Sequence, residues 1–192
     1  MLYLKGVITL FLYGNGEVDV RSLEPGDAAL LVNWLSDPSV LEYYEGRDRP
    51  HDMDRVLEHF YSDDTEDIGR GIVRYNSQDI GYLQFYPLGD TERGIYGYSE
   101  FAGSIYGMDQ FIGEPCCWNR GIGSQLVKET VQYLIEVKQA GKIVMDPQCW
   151  NQRALHVYEK NGFVRKKRLI KHEWHEGGPR DCWLVEHAGK GE

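Results

Sequence analysis

Apolar residues along this chain change their spacing several times, and each change marks an element. Glu17-Val-Asp-Val-Arg-Ser22 alternates like a short strand. Pro25 stands where a first helical turn tolerates proline, and Ala28, Ala29, Leu31, Val32 and Leu35 form a helical stripe up to Asp37-Pro38. Met53, Val56, Leu57 and Phe60 predict a second helix over Met53–Tyr61. Strands follow over Gly69–Tyr75 and Asp79–Pro87, joined by polar Asn76-Ser77-Gln78. Residues 88–103, rich in glycine, tyrosine and charge, read as a loop at one rim of a sheet. Ile105–Ile112 is a strand, and Ile122, Leu126, Val127, Val131, Leu134 and Ile135 place a helix after Gly121. Lys142-Ile-Val-Met-Asp146 is a short buried strand, and Asn151–Asn161 a short helix closed by Gly162. Phe163–Trp174 and Asp181–Glu186 finish as antiparallel strands. Strands, then strand–helix–strand–helix, then strands again imply an α/β (α+β) fold, a mixed sheet of about seven strands with helices on both faces.

Composition narrows the picture modestly. A chain of 192 residues, 42% apolar and 27% charged, suits one soluble domain with a substantial core. The domain is expected over 17–187, with 1–16 as a leader or extra strand and 188–192 as a tail. The apolar start, Met1 to Tyr13, is too short to span a bilayer. A net charge of −9 argues against nucleic acid or an anionic membrane as partner and favours a cationic substrate, although it serves solubility equally well. Cys116, Cys117, Cys149 and Cys182 fit no secreted disulfide framework and read as reduced thiols of a cytoplasmic protein. The acidic run 63–67 reads as a solvated loop.

The candidate chemistry begins at Asp109, an acid in mid-strand, where carboxylates are disfavoured unless they face solvent or a site. Directly downstream, Trp118-Asn119-Arg120-Gly121-Ile122-Gly123-Ser124 is a glycine turn opening a helix. Glycines let backbone approach a ligand closely, and the free N–H groups of a helix start favour an anion such as a pyrophosphate. The same glycines serve equally as a tight strand-to-helix connection. No Gly-Lys-Ser/Thr follows, and the third glycine of a dinucleotide fingerprint is missing. A second group, Asn151, Ala154, Leu155 and Tyr158, shares one helical face. A buried amide and phenol need partners, and a bound ligand supplies them. Tyr158 is otherwise a core tyrosine with its hydroxyl at the surface. His172 and His175 have no third ligand and read as surface or rim residues, so no metal is expected.

Together the glycine turn and Asp146-Pro-Gln-Cys-Trp-Asn-Gln-Arg-Ala-Leu-His-Val-Tyr-Glu-Lys-Asn-Gly-Phe163 resemble the Gcn5-related N-acetyltransferase superfamily. The run Tyr106-Gly-Met-Asp-Gln-Phe-Ile-Gly-Glu-Pro115 extends that resemblance to the aminoglycoside 6'-N-acetyltransferases. So do Trp34-Leu35, Leu41-Glu-Tyr-Tyr44, Gly46-Arg-Asp48, Glu173 and Asp181-Cys. The resemblance implies acetyl-CoA as co-substrate, held between two strands that splay apart after Asp109. The turn from Trp118 to Ser124 takes its pyrophosphate. Asn151, Ala154 and the backbone of Phe111 and Ile112 meet its pantetheine arm. It further implies Asp109 as base beside the reacting amine and Tyr158 as acid for the departing thiolate. Asp109, Asp146, Asp181, Glu173, Tyr43, Tyr44 and Trp34 then face the drug, with Glu42, Glu45 and Asp48 as further candidates; Trp34 serves equally as plain core. Trp118 departs from the Arg or Gln usual at that place, with Arg120, Lys128 or Arg153 available as replacement charge. An ordinary aspartate is poorly matched to an amine titrating about 10, so Asp109 acts through a raised pKa, through a water, or as an anchor. The expected protein is a monomer or homodimer that acetylates aminoglycosides and confers resistance. Two alternatives stay open. One is an acyl-CoA enzyme for another amine, such as a siderophore hydroxylysine; the other is a non-catalytic acyl-CoA sensor.

Overall fold

Neighbouring strand residues serve opposite faces of one sheet. Ile72, Tyr82 and Phe111 pack with one helical layer, and Val73, Leu83 and Met108 with the other. The computed structural model describes residues 11–62 and 68–189. Residues 1–10 of the expected leader, the acidic run 63–67 and residues 190–192 of the expected tail lie outside those residues.

The strands are β1 (Phe11–Gly14), β2 (Val18–Ser22), β3 (Gly69–Tyr75), β4 (Gln78–Pro87), β5 (Ile105–Ile112), β6 (Lys142–Met145), β7 (Val164–His175) and β8 (Gly178–Ala188). They lie in the order β1-β2-β3-β4-β5-β6-β8-β7, antiparallel throughout except for β5 and β6. Among the described residues there are eight where about seven were expected, because Phe11–Gly14 adds an edge strand that pairs with β2. One face carries α1 (Ala28–Trp34), α2 (Pro38–Leu41) and α3 (Met53–Tyr61). The other carries α5 (Ile122–Glu136) and α6 (Gln152–Lys160). Helix α5 buries Ile122, Leu126, Val127, Val131 and Leu134, the stripe its sequence showed. Among the described residues no helix is long and apolar enough to cross a membrane.

Two short helices depart from the sequence expectation. Asp37-Pro38 does not simply end a helix. Asp37 accepts from the Ser39 N–H and caps a new turn, α2. Residues Asp90–Tyr96, expected as loop, form α4, which buries none of its residues and ends at Gly97 with φ +88°. No apolar stripe marks α4 because its neighbours hold it by polar contacts: the Arg93 guanidinium donates to the carbonyls of Leu88, Phe101 and Gly103.

Trp34 belongs to the core and does not face a ligand wall. It is 1% exposed, donates its indole N–H to Glu114 at 2.8 Å and packs edge-on to Phe111. A Cβ on Gly113 would lie 2.2 Å from its ring, so glycine is what lets strand β5 run on beneath the indole. Trp34→Ala is therefore expected to cost about 3–5 kcal/mol of folding stability. A urea melt that shifts by less than 1.5 kcal/mol, or about half the lower figure, contradicts this placement.

Candidate active site

Strands β5 and β6 pair only over Ile105–Gly107 and Lys142–Val144. Beyond that point β6 follows β8, and Pro147, which has no N–H to give a ladder, follows Asp146 while β5 continues to Ile112. The strands thus part after Gly107, two residues before the expected Asp109.

Which main-chain groups face the opening follows from register. The Leu88 N–H donates to Ile105 and the Gly113 N–H to Ile80. Hydrogen-bonded positions of an antiparallel pair recur at every second residue, so Gly107, Asp109 and Phe111 turn their main chain to β4. Met108, Gln110 and Ile112 turn theirs to the side that β6 has left. Phe111, expected to meet the ligand's arm, is therefore taken up by β4, and Gln110 stands in its place beside Ile112. The Ile112 carbonyl accepts the Trp118 indole N–H at 2.8 Å, which pins the glycine turn back onto β5. That bond gives Trp118 a structural reason to stand where a charged side chain was usual.

The opening leads into a cavity of about 660 Å³. The turn into α5 forms one wall. Asn119 and Gly121 have φ of +58° and +82°, and α5 has no side-chain cap, so the N–H groups of Ile122, Gly123 and Ser124 have no partner from within the helix. A Cβ on Gly123 would meet nothing within 4 Å, and Gly123 lines the cavity. These features fit a bound anion. Ile122 itself is buried core, and the Arg120 guanidinium lies over the Tyr75 ring, away from the cavity lining. Lys128 also stays off that lining, whereas Lys160 reaches it.

Helix α6 supplies the next wall through Asn151, Arg153, Ala154 and Tyr158. Asn151 precedes the helix as its N-cap, and its Oδ1 accepts from the Ala154 N–H at 3.1 Å, leaving the amide NH₂ as its free side. Burial drives the Tyr158 phenol far above its ordinary range, so it remains protonated at neutral pH. Its oxygen accepts from Gln110 Nε2 at 2.9 Å.

The opposite side is acidic. Glu45, Asp109, Asp146 and Glu173 all line the cavity. Burial raises Asp109 to about 6; the nearby Asp146 and Glu45 add to this, while hydrogen bonds from Gln84 and Tyr86 oppose it. Gln84 Nε2 lies 2.9 Å from Asp109 Oδ2, directly across the β4–β5 pair. Burial also lifts Asp146, but hydrogen bonds from His172 and Tyr96, each 2.8 Å, outweigh it and hold the carboxyl below its usual range. The same bond raises His172. Glu173 is raised by burial in spite of a 2.6 Å hydrogen bond from Gln148. Among the described residues no group of three or more acidic, His or Cys side chains is arranged to hold a metal ion.

Aromatic rings complete the cavity. Tyr43 meets Trp118 at 6.0 Å and Trp150 at 5.5 Å, and the Arg153 guanidinium lies over Tyr43 and Trp118 at 4.2 and 4.6 Å. Tyr44 packs on Phe111. Three expectations need correction. Asp181 stays outside the lining, held by Arg168 at 2.7 Å and by the Lys171 N–H at 2.8 Å. Glu42 and Asp48 do not reach it either. His175 is not a rim residue but 4% exposed, beneath Trp150. Sequence reasoning missed Gln84, Gln110, Tyr86, Tyr96 and Gln148. The alternation of β5 could have set Gln110 on the face opposite Asp109, but no local pattern marked the others.

Known proteins resemble this chain in sequence and in fold. The profile of the acetyltransferase (GNAT) domain matches residues 24–170. Aminoglycoside N(6')-acetyltransferase type 1 of Klebsiella pneumoniae is 29% identical over 154 residues, 79% of this chain and 76% of the relative. Spermidine N(1)-acetyltransferase of Vibrio cholerae serotype O1 is 24% identical over 170 residues, 87% of this chain and 90% of that one. Among solved structures, aminoglycoside acetyltransferase AAC(6')-Ib with coenzyme A superposes with a TM-score of 0.71 at 24% identity, over 89% of this chain and 94% of that one. Spermidine N-acetyltransferase from Vibrio cholerae, in complex with CoA and spermine, gives 0.74 at 19% identity over 91% and 97%. At such identities the superpositions speak to the fold.

Proposed function

The chain belongs to the acetyltransferase (GNAT) family, and from that premise we propose that it is an aminoglycoside 6'-N-acetyltransferase that takes its acetyl group from acetyl-CoA. One observation carries the substrate class: four carboxylates, Glu45, Asp109, Asp146 and Glu173, converge on one cavity that also holds Tyr158 and the open glycine turn. Several carboxylates in a partly enclosed space attract a polycation far more strongly than they would in water. The rings of Tyr43, Tyr44 and Trp150 offer flat apolar surface to sugar rings.

Acetyl-CoA supplies an acyl group already activated as a thioester. The N–H groups of Ile122, Gly123 and Ser124 bind its pyrophosphate, and the Ile112 and Gln110 main chain aligns its arm. Asp146 and Glu173 orient the ammonium-bearing ring, and the reacting amine lies against Asp109. At about 6, Asp109 is ionised at neutral pH, yet an alkylammonium near 10 does not release its proton to it spontaneously. The proton becomes acidic only as nitrogen bonds to the acyl carbon, and at that moment a carboxylate with a raised pKa is a competent acceptor. Tyr158 delivers its phenolic hydrogen to the departing sulfur. No covalent enzyme intermediate is needed, and among the described residues Cys117, the cysteine on the cavity lining, has Cys116 and no histidine as its side-chain partner. Acetylation turns one ammonium into a neutral amide and weakens the drug's hold on ribosomal RNA, which gives resistance.

A polyamine is the second reading, favoured by the spermidine N(1)-acetyltransferase relative, because a carboxylate-lined cavity also suits a linear cation. A thiol-release assay with acetyl-CoA separates the two, run with kanamycin, spermidine, a lysine analogue or no acceptor. Release with kanamycin well above the other arms is the expected result. Release only with spermidine assigns the enzyme to polyamines, and none with any acceptor refutes the catalytic reading.

A further inference from the structure

Gln110 sits next to Asp109 in sequence, but strand alternation turns its side chain to the opposite face, toward α6. Its Nε2 donates to the Tyr158 oxygen at 2.9 Å. A phenol that accepts one hydrogen bond keeps its own O–H for another acceptor, and Tyr158 lines the cavity into which the parted strands open. The other end of the amide is unusual. Gln110 lines the same cavity, and its Oε1, closed off behind the cavity surface, has no hydrogen-bond partner among the described residues. Buried carbonyl oxygens are almost always paired in native proteins, so one left open beside a cavity marks a place where a ligand donor belongs. The Gln110 main chain faces the same opening.

We propose that Gln110 is a positioning residue with two functions. Its NH₂ group holds the Tyr158 hydroxyl so that the proton points at the leaving sulfur, and its Oε1 accepts an amide N–H from the arm of the acyl donor. Both functions rest on the acetyltransfer reading given above. The side-chain amide couples the seating of the arm to the aim of the acid, because one rigid plane carries both contacts.

The test is a double-mutant cycle on the full chain with Gln110→Met and Tyr158→Phe. Methionine keeps the length of glutamine, removes both hydrogen-bonding ends and suits the neighbouring Met145, so thermal melting should stay close to that of the unaltered protein. Calorimetric titration with coenzyme A alone is expected to show a Kd about tenfold higher for Gln110→Met, in either background. Its kcat is expected to fall about tenfold when Tyr158 is present and not at all when Tyr158 is already phenylalanine. An unchanged Kd overturns the arm contact. Losses in kcat that multiply across the two substitutions overturn the link to Tyr158. If the unaltered protein binds no coenzyme A, the acetyltransfer reading itself fails, an outcome distinct from a variant that simply matches it.

Discussion

Asp109→Asn is expected to lower kcat by about 10²–10⁴-fold while leaving coenzyme A affinity nearly intact. The carboxylate is the only proton acceptor of the acidic wall on the strand that also lines the opening, and asparagine keeps its shape and can still accept from Gln84. In the unaltered protein, kcat/KM should fall tenfold per unit as pH drops below about 6, where Asp109 takes up a proton. Asp146 is one of the charges that raise it, so Asp146→Asn should move this acid limb to lower pH. An acid limb that stays in place in that variant assigns it to another group.

The same burial has a consequence for stability, with opposite sign. A carboxyl whose folded pKa lies above its unfolded value of 3.8 favours the fold while protonated, and that contribution is lost as pH rises from about 4 through about 6. Above that window the ionised Asp109 costs on the order of 2–3 kcal/mol. Asp109→Asn should therefore melt higher than the unaltered protein at pH 8 and match it near pH 4. A variant that is nearly inactive yet more stable identifies a carboxylate kept for chemistry. Equal melting at pH 8 argues that Asp109 is not buried as described.

Gly123→Leu should raise the Kd for coenzyme A by about 100-fold or more without unfolding the protein. In the absence of ligand the new side chain enters open space, since a Cβ at Gly123 meets nothing within 4 Å. Leucine also suits the first turn of α5 better than glycine, by about 0.5–1 kcal/mol, so the melting temperature should hold or rise. The loss is then specific to the space proposed for the pyrophosphate over the free N–H groups. Gly121 makes a useful contrast: its φ of +82° strains any larger residue, so changes there combine folding and binding effects. Unaltered affinity in Gly123→Leu would move the coenzyme away from this turn.

The legible parts of the fold were those with strong periodicity. Helix α5 and strands β3 and β5 lie where apolar spacing put them, because burying one face is a local requirement on sequence. Helix α4 was invisible because it has no fully buried residue and only Tyr96 packs against the core, the helix being held besides through Arg93. Helix α2, four residues long, was too short for any period.

The site divides along the same line. Asp109 stands out as a carboxylate in mid-strand and Asn151 and Tyr158 as polar groups on one helical face, whereas the glycine turn became a candidate only through the family resemblance; all of them line the cavity, the turn through Asn119, Gly121, Gly123 and Ser124. Of the two readings open for Trp34, ligand wall or core, the structure has the core one, and Asp181, expected to face the ligand, stays off the cavity. An indole in an amphipathic helix looks the same whether it meets a sugar or Gly113, and an aspartate near a strand end does not show that Arg168 already holds it.

By itself, then, the sequence determined the family and the sheet with its two helical layers, and the resemblance it carries singled out the residues proposed for acyl transfer. Tertiary structure alone decided where β5 and β6 part, which main-chain groups that parting leaves open, and which of many carboxylates meet in one cavity. The reason is physical. Periodicity reports which face of an element avoids water, but the partner of a buried polar group comes from a distant segment, as Tyr96 and His172 come to Asp146 and Gln110 comes to Tyr158.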